Sequence, residues 1–145
     1  MIFESKSINE TYEIAIKLIK YIKPGSVIAL IGNLGSGKTA FSQGFAKGLG
    51  FKDNVGSPTF KLVSEYYGKL YNMYHIDVYR LKGSADFLNI GGEEYLLTNN
   101  SYTLIEWANI IEDILPEKTI QINFSRIKTN PNYRTIKVQG LQSEL

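Results

Sequence analysis

The chain contains no cysteine. Disulfides and cysteine-ligated metal sites are therefore excluded, and a cytoplasmic location is the expectation. No apolar run approaches the length of a membrane span; the longest candidate, Val27 to Ile31, has the size of a buried strand. The opening segment MIFESKS lacks a basic stretch followed by an apolar one, so neither a signal peptide nor a membrane is expected. Charge of one sign is missing too. The 145 residues carry 16 basic and 14 acidic side chains for a net charge of +2, too balanced to argue for nucleic-acid binding on charge alone. Arginine is scarce, confined to Arg80, Arg126 and Arg134. Lys61, Lys69, Lys82, Lys128 and Lys137 could join the last two arginines in a basic patch, although solvated surface lysines are the plainer reading. No repeat, linker or low-complexity tract interrupts the chain, so one domain over residues 1–145 is expected.

What is present is hydrophobic patterning of two periods. Ser7 and Glu10 have capping-box spacing, and behind them Tyr12, Ala15, Ile16, Ile19 and Ile22 recur as on a helix that Pro24-Gly25 ends. SVIALI, 26–31, reads as a buried central strand. Helical spacing returns over Lys38 to Leu49, with Phe41, Phe45, Ala46 and Leu49 on one face and Gly50 as the stop. Thr59 to Tyr67 and Leu70 to Asp77 predict a hairpin around Gly68-Lys69. One or two short helices are expected over Ser84 to Leu97, a strand over Tyr102 to Trp107, and a short helix over Ala108 to Leu115. Thr119 to Ile127 and Tyr133 to Val138 then predict a second hairpin turning at Asn130-Pro131-Asn132. The expected class is α/β: a mostly parallel central sheet flanked by helices, with antiparallel hairpins at its margins.

Between the first strong strand and its helix lies Gly32-Asn33-Leu34-Gly35-Ser36-Gly37-Lys38-Thr39, which meets the pattern G-x-x-x-x-G-K-[ST] and makes the expected fold P-loop NTPase-like. A triphosphate needs dense positive potential at short range. Glycines let the backbone turn its N–H groups toward phosphate oxygens, and the following helix, entered through Thr39 and Ala40, adds its positive dipole end. Lys38 is expected to reach the β- and γ-phosphates, and the Thr39 hydroxyl to hold magnesium. Gly35 is a third glycine where side chains would crowd the phosphates. Gly44 and Gly48 fall inside the helix, where close packing on the sheet would explain them.

Such a loop needs an acid at the end of a nearby strand. Asp77 ends LYNMYHID and is the candidate metal ligand, a cap being the structural alternative. Glu106 ends YTLIE and could orient or deprotonate the attacking water, or partner the metal; a salt bridge is its alternative. His75 lies two residues before Asp77, hence on the same strand face, and reads as a structural histidine beside the site. Arg80 could contact a phosphate or pair with an acid, and Trp107 could pack against the site. Ser57-Pro58-Thr59-Phe60 is either a loop-to-strand turn or a loop whose Ser57 and Thr59 hydroxyls reach the metal or γ-phosphate.

GNLGSGKT (32–39), GLG (48–50), SPTFKLVSEY (57–66), HIDVYRL (75–81), GGEEYL (91–96) and IEW (105–107) together resemble the TsaE family, also called YjeE. A P-loop alone is shared by many functions; the ordered set is specific. The resemblance runs from the N-terminal helix to about Trp107. It implies an ATPase that uses ATP and Mg2+, weak alone and stimulated by two partners, TsaD and TsaB, in threonylcarbamoyladenosine modification of tRNA. Contact with tRNA would be indirect, through that complex. By position it assigns Lys38 and Thr39 to phosphate and metal, Asp77 to the metal, Glu106 to catalysis or water positioning, and Ser57 and Thr59 to a switch-like loop. Asn33 and Ser36 stand where Asp and Ala are common in the family, and Ala108 where proline is frequent; the C-terminal hairpin has no specific motif.

Other readings remain. A small-molecule kinase would need an arginine-bearing lid, for which three arginines are little material. A GTPase finds only Asp53-Asn-Val-Gly56 after a helix and no N-K-x-D motif. A nucleotide-dependent scaffold with little turnover would share every motif.

Overall fold

The computed structural model describes residues 1–52 and 62–141. Its elements in chain order are β1 (Ile2–Ser5), α1 (Ile8–Ile19), β2 (Val27–Ile31), α2 (Lys38–Gly48), β3 (Val63–Tyr67), β4 (Asn72–Asp77), α3 (Ser84–Asn89), α4 (Glu93–Leu96), β5 (Ser101–Glu106), a 3-10 helix (Ala108–Ile114), β6 (Ile120–Ile127) and β7 (Asn130–Gln139). The strands form one seven-stranded sheet in the order β1-β7-β6-β2-β5-β4-β3. β2 pairs in parallel with β5 and β6, and β5 with β4, whereas β3, β7 and β1 add antiparallel edges. This is the P-loop α/β fold that the patterning predicts. Among the described residues no helix is long and apolar enough to cross a membrane.

β2 is apolar on both faces because both faces are covered. Ile28 and Leu30 meet Leu104, Ile122, Phe41 and Phe45 under α1 and α2. Val27 and Ala29 meet Ile76, Ile105, Phe87 and Ile111 under α3 and the 3-10 helix. The carboxyl ends of β2, β4 and β5 therefore come out together at one edge of the sheet, where ligands of such folds bind.

Five local expectations are revised. The N-terminal segment forms an edge strand, β1, in register with β7 from Ile2↔Lys137 to Ser5↔Arg134; its four residues are too short for a readable alternation. The buried stripe of α1 is Thr11, Ala15 and Leu18, with Ile16 exposed, so the true face is rotated from the one expected. At its start Ser7 Oγ accepts the Glu10 N–H at 3.1 Å, but the Glu10 carboxylate takes the N–H of Lys6, one residue before the amide a capping box uses. Gly44 and Gly48 face α1 rather than the sheet: a Cβ on Gly44 would lie 2.6 Å from the Tyr12 Cα. Finally, the last hairpin turns before Asn130, which already pairs with Ile127, and the register then shifts so that Arg126 opposes Arg134. Pro131 falls in that irregularity, where no ladder donor is required. The start of the third strand expected at Thr59, and the tail from 142, lie outside the described residues.

Candidate functional site

The loop leaving β2 turns twice through conformations that disfavour side chains, with φ of +73° at Gly35 and +113° at Gly37, and Gly37 opens α2 without any side-chain cap. Ser36 N–H closes a turn on the Asn33 carbonyl at 3.1 Å, and the Ser36 hydroxyl is buried without a hydrogen-bond partner in the described structure. The first-turn amides of α2 are left for a ligand, as helix N-termini leave them.

Lys38 is only 4% exposed although it carries a cation. Its Nζ folds back over the loop and donates to the carbonyls of Gly32 and of Asn33, the latter at 3.0 Å. It also sits 4.1 Å from the centre of the Trp107 ring. Burial draws its pKa below the ordinary lysine value; the negative charges of Glu106 and Asp77 oppose that fall.

Parallel pairing of β4 with β5 sets Asp77 directly beside Glu106. Glu106 is 3% exposed and His75 fully buried, and His75 Nε2 lies 2.5 Å from Glu106 Oε2. The other oxygen, Oε1, accepts from the Thr39 hydroxyl at 3.5 Å. One carboxylate thus bridges the histidine and the first turn of α2. Asp77 Oδ1 accepts the Tyr79 N–H at 2.9 Å. Its pKa is raised, first by burial and then by Glu106, against the lowering effects of the Tyr79 amide, His75 and Lys38.

Trp107 follows Glu106 with φ of 61°, the one non-glycine residue with positive φ among the described residues. Strain of this kind, about 1 kcal/mol or more, persists where the surroundings over-determine it. Here the Trp107 N–H is tied to the Leu30 carbonyl at 3.0 Å, and the indole lies between Lys38 and Tyr79, whose ring centre is 4.8 Å away.

These groups line a cleft of about 480 Å³. Of the residues expected at the phosphates, Leu34, Gly35, Ser36, Gly37, Lys38, Thr39 and Ala40 form its wall together with Asp77 and Glu106. Gly32 and Asn33 lie behind the wall and contribute the carbonyls that hold Lys38. Ser57 and Thr59 lie outside the described residues. Arg80 is exposed and, among the described residues, forms no ion pair. The cleft also takes in Ser7, Ile8 and Thr11 at the start of α1, and Asn132 and Arg134 of the last hairpin, which sequence reasoning did not assign. Only long-range topology brings them there. The cleft could hold a nucleotide with its phosphates on the loop and its remainder toward α1. Among the described residues no cluster of three His, Cys, Asp or Glu forms a metal site of its own. A hydroxyl and two acids fit a magnesium ion that keeps phosphate oxygens and water as its other ligands.

Comparisons with known proteins identify relatives of this chain. Residues 5–136 match the model of the family described as "Threonylcarbamoyl adenosine biosynthesis protein TsaE". The chain is similar to the tRNA threonylcarbamoyladenosine biosynthesis protein TsaE of Bacillus subtilis, 38% identical over 94% of this chain and 84% of the relative. It is similar to that of Treponema pallidum at 39% over 82% of this chain and 87% of the relative. Among solved structures, Bacillus subtilis YdiB superposes with a TM-score of 0.77 at 33% identity, covering 97% of this chain and 85% of the other.

Proposed function

The chain belongs to the TsaE family of tRNA threonylcarbamoyladenosine biosynthesis, and from that premise we propose that it is an ATP hydrolase of a single P-loop domain, acting in the cytoplasm beside TsaD and TsaB. The observation that carries the proposal is the convergence of a buried lysine, a buried glutamate and a half-buried aspartate on the wall of one cleft beneath a glycine-rich loop. Charges are rarely placed at so little exposure without a partner of opposite sign or a task.

In this reading the loop amides from Gly35 to Thr39 bind the phosphates. Lys38 leaves the Gly32 and Asn33 carbonyls for the β- and γ-phosphate oxygens, a move its flexible stem permits. Thr39, Asp77 and Glu106 would hold magnesium, which when bound neutralises charge on those oxygens. Glu106 also accepts a hydrogen bond from the water that attacks the γ-phosphorus. The new P–O bond forms as the bond to the β-phosphate oxygen breaks and the water gives up a proton to the departing phosphate, leaving ADP and inorganic phosphate. His75 keeps the Glu106 carboxylate aimed, and Lys38 stabilises the charge left on ADP. Hydrolysis in the complex with TsaD and TsaB would then drive a change in that complex, with tRNA touched through the partners.

The test is phosphate release by the purified chain, alone and with the TsaB–TsaD pair. Slow release alone and faster release with the pair are expected. Binding of ATP without release under either condition would make the chain a scaffold, and transfer of the phosphoryl group to a small acceptor would make it a kinase; either result sinks the proposal.

A further inference from the structure

The last hairpin has no motif, yet it lays two of the three arginines on the outside of the phosphate loop. β6 runs beside β2, so its end passes the loop that β2 feeds. Arg126 Nη2 donates to the carbonyls of Leu34 at 3.4 Å and Gly35 at 3.3 Å. Arg134 Nη2 donates to the same Gly35 carbonyl at 3.0 Å, while its Nη1 donates to the Tyr133 carbonyl at 2.9 Å and to that of Pro131. The second guanidinium is thereby clamped between hairpin and loop. A Cβ built on Gly35 would collide with the Arg126 guanidinium, so glycine at 35 gives the arginine its seat as well as permitting a φ of +73°.

This arrangement is costly by itself. Arg126 and Arg134 are direct cross-strand partners, and like charges so placed repel. Among the described residues the one ion pair is His75 with Glu106, so no carboxylate there neutralises either guanidinium. What they share is a carbonyl oxygen. A loop that turns its amides toward an anion turns the opposite ends of those peptides outward, and an outward carbonyl held by a charged donor resists rotation of its peptide plane.

We propose that Arg126 and Arg134 are positioning residues for the phosphate loop, setting the Leu34 and Gly35 peptide planes from outside before a nucleotide arrives. The inference rests on the nucleotide-binding reading and adds to it a role for the hairpin: the ordering of the loop is done in advance, and binding is tighter for it. Two positive charges at the rim also raise the local potential for a phosphate.

The experiment measures ADP–magnesium binding by calorimetry for the full chain and for Arg126→Ala, Arg134→Ala and the double variant, with the melting temperature of each taken without nucleotide. Each single variant should bind about tenfold more weakly, because the other arginine still holds Gly35, and the double about a hundredfold. The Arg126→Ala melting temperature should stay at the parent value, since that side chain is exposed. In ATP turnover by Arg126→Ala KM should rise while kcat at saturation changes less than about twofold, because that guanidinium is not among the residues lining the cleft. Parent protein that binds while the double variant binds equally well overturns this inference alone. So does a loss of affinity in Arg126→Ala matched by a fall in nucleotide-free melting temperature, which would mean plain hairpin stability. Parent protein that takes up no ADP overturns the nucleotide reading and this one together.

Discussion

The two ends of the parallel strands treat charge in opposite ways. At the carboxyl end a cleft of about 480 Å³ is walled by Lys38, Glu106 and Asp77, the first two almost without exposure. At the amino end a larger cleft, about 700 Å³, is bordered by Lys23, Glu117 and Lys118, all exposed. Size therefore points to the wrong end. Charge withdrawn from water is the informative feature, because it costs free energy that only a partner or a bound ligand offsets. Exposed charges around a wide hollow carry no such cost and imply no such ligand.

That contrast can be broken by exchanging neutral for charged side chains at each end. The largest effect should come from Lys38→Ala, which is expected to weaken ATP binding or turnover by about 10²–10³-fold; calorimetry and phosphate release would reveal it, and unaltered turnover with partners present would undo the proposed mechanism. Glu106→Gln should follow, lowering turnover by about a hundredfold while nucleotide affinity measured without magnesium stays within about threefold. An equal loss in both would make Glu106 a structural prop.

Asp77→Asn sharpens the comparison through stability. Burial raises the folded-state pKa of Asp77 above its ordinary value of 3.8. Between that value and the raised one the folded chain holds more protons than the unfolded chain, so stability falls as pH rises through this window. With asparagine that slope should flatten, and the nucleotide-free melting temperature at neutral pH should equal or exceed the parent's, since the amide oxygen still accepts the Tyr79 N–H. A marked fall would mean that the ionised carboxylate stabilises the empty site. The smallest effect belongs to the other cleft: Lys118→Ala should change stability by less than about 0.5 kcal/mol and leave nucleotide binding untouched.

Much of the proposed site was legible because it is local. Strand, glycine loop and Lys38 lie within a dozen residues, and the period change from β2 to α2 marks the junction. Asp77 and Glu106 were legible as strand ends, although their adjacency depends on β4 pairing with β5 rather than β2. His75 read as structural; its hold on Glu106 needed that same pairing. Arg126 and Arg134 were illegible for a further reason. Their opposition follows from the register shift after Arg126, and the turn chemistry of Asn130-Pro131-Asn132 argues for a different turn. Their place over the loop follows from β6 lying beside β2, a contact between segments far apart in the chain. Thr11, at the far wall of the cleft, was hidden for the same reason. The expected roles of Ser57 and Thr59 concern residues outside those described.

Gly44 has a consequence for the cleft it never touches. α1 and the cap before it supply one part of the wall through Ser7, Ile8 and Thr11, and α2 another through Lys38, Thr39 and Ala40. The helices cross where the Gly44 backbone meets Tyr12, with no room for even a methyl group. That missing methyl works as a calliper: it sets how near two walls of the cleft stand, and a bulkier residue at the pivot would spread them without altering any group that lines it.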